Sequence, residues 1–217
     1  MPEPVEKIAL LILGWLFGLL SPAIVTGIQR RREAKALRAT ILRELNDVRY
    51  QVASAVYLID VNQGTTNRGS LEWVSKHLSD FASKEKVPQT IDAIRQMLSL
   101  NDEGIAFLAQ DGRAKAEATP ALKNYSTPIM DSNFASFSYL DHKLQSALME
   151  VRIRLSLLNQ NTEEYRTYFQ LTYSNQAEQS NRDRIHGNVI MALTASKQQA
   201  KRVADAIREV QLLVNGG

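Results

Sequence analysis

The chain has 217 residues, 44% of them apolar and 23% charged, the proportions of a folded protein rather than a disordered or collagen-like one. It contains no cysteine, which excludes disulfides, thiol catalysis and Cys-ligated zinc or iron–sulfur centres, and fits a reducing compartment. Ten glycines and six prolines are too few for a turn-rich sandwich or barrel.

The net charge of +3 is unevenly spread. Between residues 30 and 43 stand Arg30, Arg31, Arg32, Lys35, Arg38 and Arg43 against the single acid Glu33, whereas residues 44–217 carry 19 basic and 20 acidic side chains. The basic character is therefore local and is not the signature of a nucleic-acid-binding domain.

In chain order, Ile8 to Gln29 hold no charged residue. As a helix, Ile8–Ile28 rises about 32 Å, the thickness of a bilayer's hydrocarbon core. Residues 1–29 accordingly read as an N-terminal tail and a transmembrane helix. A cleaved leader is the competing reading. Against it, apolar residues continue past Ala23, and Arg30–Arg32 would open the mature chain. The basic flank predicts a single-pass protein with its N-terminus outside and residues 30–217 in the cytoplasm. Gly14 and Gly18 lie one turn apart and would let another backbone approach closely. Pro22 cannot donate to the Gly18 carbonyl, so a kink is predicted there, with Ser21 and Thr26 able to satisfy freed groups. Arg30, Arg31, Arg32, Lys35 and Arg38 would meet lipid headgroups or another anionic surface.

Residues 30–63 read as a basic juxtamembrane helix. Ile41, Leu45, Val48, Val52, Ala55 and Ile59 alternate four and three apart, a heptad stripe, with Arg43, Glu44, Asp47 and Arg49 off it. Gly64–Gly69 reads as a loop, and Ser70 as the N-cap of a short helix bearing Trp73, Val74, His77 or Leu78, and Phe81. Residues 70–130 are predicted as short helices and an irregular connection: Pro88 opens a run with Ile91, Ile94, Met97 and Leu98, and Asn101 caps one with Ile105, Phe107 and Leu108. From 111 to 130, Gly112, Pro120 and Pro128 mark irregular chain.

Residues 131–215 read as a long-helix hairpin. Leu144, Leu148, Val151, Leu155, Leu158, Tyr165 and Phe169 follow one heptad row, and Val189, Leu193, Ser196, Ala200, Val203, Ile207, Val210 and Val214 another. Met149–Leu157 also alternates with period two, a strand pattern, but no turn signal brackets it and helix is preferred. The predicted fold is all-α, with the membrane helix continuing into a cytoplasmic antiparallel bundle with coiled-coil-like heptads.

The common phosphate, dinucleotide, zincin and hydrolase motifs are absent, as is the repeated Glu-x-x-His of di-metal bundles. No metal site, cofactor or catalytic residue is assigned. His77 reads as a core histidine, and Asp141 beside His142 as an acid complementing a helix N-terminus. Arg182 and His186 share a helix face, where a base and a phosphate-binding cation could cooperate. Only three residues separate them, too few for the Arg–His motif of small helical ribonucleases. Tyr165, Tyr168, Phe169 and Tyr173 could form a binding patch, but two of them fall in the core row.

The expected function is binding or self-assembly by a membrane-tethered, non-catalytic helical bundle. Its expected partners are the lipid bilayer and a second copy or a helical protein; nucleic acid is not expected. One alternative is a homo-oligomeric membrane effector, a pore or membrane-disrupting component of an antiviral or toxin system. The other is a cryptic ribonuclease at Arg182 and His186.

Overall fold

The computed structural model describes residues 3–79, 88–115, 120, 122–173 and 179–215; in the first part of the chain, side chains are described at 13–15, 18, 22 and from 24 onward. The described residues are helical, with no strand among them. In order they form α1 (Glu3–Gln63), α2 (Arg68–Leu78), α3 (Pro88–Leu98), α4 (Asp102–Lys115), α5 (Pro128–Ser132), a 3-10 segment (Phe134–Tyr139), α6 (His142–Leu171) and α7 (Gln179–Asn215).

Three long helices make the bundle, and polar pairs give its register. Asn46 meets Gln211, Asp60 meets Lys197 and Gln63 meets Thr194. As positions rise along α1 they fall equally along α7, so the two run antiparallel. Gln199 of α7 donates to the Arg154 carbonyl of α6, and Tyr165 of α6 packs with Val189 and Leu193. That pairing is antiparallel too, which leaves α1 and α6 parallel on either side of α7.

The predicted rows face this common interior. Ile41, Leu45, Val48, Val52 and Ile59 of α1 are buried, as are Leu144, Leu148, Val151, Leu155, Leu158 and Tyr165 of α6. On α7, Val189, Leu193, Ser196, Ala200, Val203, Ile207 and Val210 are buried. The heptad faces thus pair within one chain. The period-two stretch lies inside α6, where Val151 and Leu155 face the core while Ile153 and Leu157 face solvent.

Local chemistry sets the boundaries. Gly64 ends α1 at φ +66°, a left-handed conformation that suits a residue without Cβ. The Gly64 amide donates to the Val61 carbonyl and the Thr65 amide to that of Asp60, closing the last turn in a Schellman arrangement. The N-cap of α2 is Asn67, not Ser70: the Asn67 side chain accepts from the Ser70 amide while the Ser70 hydroxyl accepts from the Asn67 amide. Asn101 Oδ1 accepts from the Gly104 amide, as its capping role requires, but α4 runs on to Lys115 through Gly112 and leaves Phe107 exposed. Ala109 takes the core position instead. Asp141 caps α6, accepting from the Leu144 amide at 2.9 Å, and both Glu44 oxygens accept from the first amides at α5. Phe81 lies outside the described residues.

The first part of α1 corrects the membrane reading. Among the described residues no helix is long and apolar enough to cross a membrane, so a single-pass protein with its N-terminus outside and a cytoplasmic bundle is not supported. Helix α1, 61 residues in all, continues without a break into Arg30–Arg32 and the charged helix that follows. Pro22 does not interrupt it, and the Thr26 hydroxyl donates to the Pro22 carbonyl at 2.7 Å rather than to that of Gly18.

Candidate functional site

Two regions outside the core hold functional side chains. The first is the part of α1 that precedes the bundle. Packing against the core begins at Ala34 and Leu37. Upstream, Leu13, Trp15, Ile24, Val25 and Ile28 are all about half exposed or more, and a Cβ added at Gly14, Gly18 or Gly27 would meet nothing within 4 Å. At 3.6 residues per turn, Gly14, Gly18, Pro22, Val25 and Ile28 share one face of the helix.

Where this projection joins the bundle, Arg30, Arg31, Lys35 and Arg38 line a groove of about 700 Å³ against Ser138, Tyr139 and Val214. Arg32 does not line it. Arg38 is tethered, its Nη2 lying 3.2 Å from Asp141 Oδ2. The headgroup role expected of these five residues rested on the membrane span.

The second region lies at the other end of the bundle, where α1 turns into α2 and α6 approaches α7. A groove of about 550 Å³ is lined there by Asn62, Gln63 and Thr65 from the α1 end, Arg113 of α4, and Phe169, Thr172 and Tyr173 at the end of α6. Its remaining wall is His186, Val189, Ile190, Leu193 and Thr194 of α7. Gly64 is part of its construction. A Cβ at this glycine would stand 3.0 Å from Arg113 Cδ and 3.2 Å from Arg113 Cβ, so the arginine stem crosses directly over the turn.

An aromatic series leads from the core to this groove. Tyr165 is 2% exposed and donates its hydroxyl to the Pro120 carbonyl at 2.9 Å. Its ring stacks on Phe169 at 5.9 Å, and Phe169 meets Tyr173 edge-on at 5.3 Å. Tyr173 is 73% exposed. Burial first, and Tyr173 second, push the Tyr165 phenol up to about 12. Directly behind Thr65, its hydroxyl donates to Asp60 Oδ1 at 2.7 Å, and Lys197 Nζ donates to the same oxygen at 2.9 Å. Asp60 Oδ2 is buried without a hydrogen-bond partner.

His186 and Arg182 fare differently. Both are exposed on α7, but only His186 lines the groove, and the cation that shares it is Arg113. Sequence reasoning missed Arg113, which lies in a stretch read as irregular chain. The signal that could have found it is Gly64, whose left-handed turn admits the arginine stem.

His77 is wholly buried, with Nε2 3.1 Å from Asp205 Oδ1, and the Trp73 indole donates to the same oxygen at 3.2 Å. The two rings lie 4.3 Å apart, and Lys201 Nζ stands 5.4 Å from the Trp73 ring centroid. This cluster fastens α2 to α7, in line with a core histidine. Among the described residues no group of three or more His, Asp or Glu side chains is placed to hold a metal. The chain matches no family model, no curated protein and no solved structure.

Proposed function

We propose that this chain is a non-catalytic helical-bundle module that acts by self-assembly, with the first part of α1 as the pairing element and a second copy of the chain as its partner. The observation that carries the reading is the unpartnered face of Gly14, Gly18, Val25 and Ile28. A helix gains most of its stability from packing an apolar face, and from Leu13 to Glu33 no described side chain has one packed. Burying Val or Ile fully is worth about 1.5–3 kcal/mol each. The glycines would let a second backbone approach closely, and a two-fold arrangement presents the same patch from both copies. Antiparallel alignment keeps the two Arg30–Arg32 runs apart, whereas parallel alignment would bring like charges together. The heptad rows are occupied within the chain, so they do not compete as pairing surfaces.

The test is the molar mass of the whole protein by light scattering after size exclusion, beside a variant carrying Val25→Glu and Ile28→Glu. The expected result is a defined oligomer for the natural chain and the 24.4 kDa of one chain for the variant. A natural chain of one-chain mass would overturn the reading, as would an oligomer that survives both substitutions.

A further inference from the structure

The groove at the α1–α2 turn carries a proposal independent of self-assembly. Arg113 and His186, which line it, form no ion pair among the described residues, and no carboxylate lines it. Four arginines elsewhere pair with acids, Arg68 with Asp102, Arg95 with Asp92, Arg152 with Asp131 and Arg166 with Glu163. Asp60, behind Thr65, already accepts from Lys197 and Thr65. A guanidinium laid across a glycine turn, beside an imidazole and with no counter-charge, fits an anion.

The rest of the wall fits a flat, apolar body. Phe169, Val189 and Leu193 form apolar wall, and Tyr173 is a mostly exposed ring held by its edge contact with Phe169. Such a ring offers a stacking face at little cost in side-chain freedom. The Gln63 amide keeps a second N–H to donate and an oxygen to accept, while the Thr65 and Thr194 hydroxyls, whose protons go to Asp60 and Ile190, can accept from ring edges. The volume, about 550 Å³, lies in the range of small-molecule sites.

We infer that this groove binds a small planar aromatic anion of nucleotide type, with the ring against Tyr173 and the phosphate against Arg113 and His186. The inference concerns binding alone and includes no bond-breaking step.

Calorimetric titration of the full-length protein with AMP, GMP, CMP and UMP tests it, with adenosine and inorganic phosphate as the separated halves. At least one mononucleotide should bind at least about tenfold more tightly than either half. Arg113→Ala should weaken that binding about tenfold while leaving adenosine unchanged, and Tyr173→Ala should weaken nucleotide and nucleoside alike. Both residues are exposed, so far-UV dichroism should show unchanged helicity. His186→Ala should weaken the nucleotide and spare the nucleoside. If none of the four mononucleotides binds, the inference is wrong. It is equally wrong if binding is indifferent to both Arg113→Ala and Tyr173→Ala, or if inorganic phosphate binds as tightly as the nucleotide.

Discussion

Lys197 Nζ lies 2.9 Å from Asp60 Oδ1 and joins α7 to the last turn of α1 where the chain reverses into α2. The pair is largely out of water, with side-chain exposures of 16% and 4%. Breaking a buried pair by removing one partner leaves an uncompensated charge and costs about 3–5 kcal/mol, whereas replacing both by apolar groups is far milder. Lys197→Met alone should therefore cost about 3 kcal/mol in a urea titration. Adding Asp60→Leu to it should recover part of that loss. Strictly additive losses would show that each side chain acts alone.

The choice of helix over strand for Met149–Leu157 has an energetic consequence. Leu148, one residue before this stretch, is buried within the main core, whereas Ile153 inside it is 52% exposed. Leu148→Ala should cost about 3 kcal/mol through lost transfer energy and a cavity. Ile153→Ala should stay within about 0.5 kcal/mol. Comparable losses at the two positions would mean that a second surface covers the outer face of α6.

The three inward rows were legible because each repeats for several turns, and periodicity over such lengths outweighs local ambiguity. Arg49 shows where the sequence signal ends. It lies off the α1 row, where a charged residue reads as solvated, yet it is 1% exposed because α7 crosses over it and supplies Gln211 as an acceptor. Nothing in α1 alone encodes that crossing. Phe107 errs in the opposite sense: its spacing fits a core face, but α4 turns Ile105 and Ala109 inward and leaves it outside. The groove was half visible, since His186 was a candidate, but its companion Arg113 comes from a helix 73 residues earlier in the sequence. The uncharged run at the start of the chain was read as a span from its length and apolar character, whereas among the described residues no helix is long and apolar enough to cross a membrane.

Buried phenols set a limit in alkaline solution. Burial raises Tyr125 from 10.0 to about 12, and Tyr165 also reaches about 12. Burial raises Tyr57 in the same direction. The native state holds these protons more tightly than the unfolded chain does. Their contribution is therefore fully present below about pH 10 and is lost as pH climbs toward about 12. Helical dichroism followed against phenolate absorbance should show the late phenolates appearing as helix is lost. Tyr125→Phe should make the decline shallower. Complete phenolate titration with the helices intact would refute the assignment of burial as the cause.

Asp141 serves two elements at once, and its two oxygens can be separated experimentally. Oδ1 accepts from the Leu144 amide at 2.9 Å and starts α6, while Oδ2 lies 3.2 Å from Arg38 Nη2 and ties down α1 where it enters the bundle. An N-cap is worth about 1 kcal/mol, and an ion pair this open to solvent contributes between about 0 and 1 kcal/mol. Asp141→Asn retains an oxygen for the cap but removes the charge, so it should cost only a few tenths of a kcal/mol, the same as Arg38→Ala. Asp141→Ala loses both functions and should cost about 1–1.5 kcal/mol. The Asn and Arg38 variants should also lose the salt dependence of the remaining difference, because screening acts only on the charged pair. An Asn variant as unstable as the Ala variant would reverse the ranking and make the Arg38 contact, rather than the helix cap, the larger of the two.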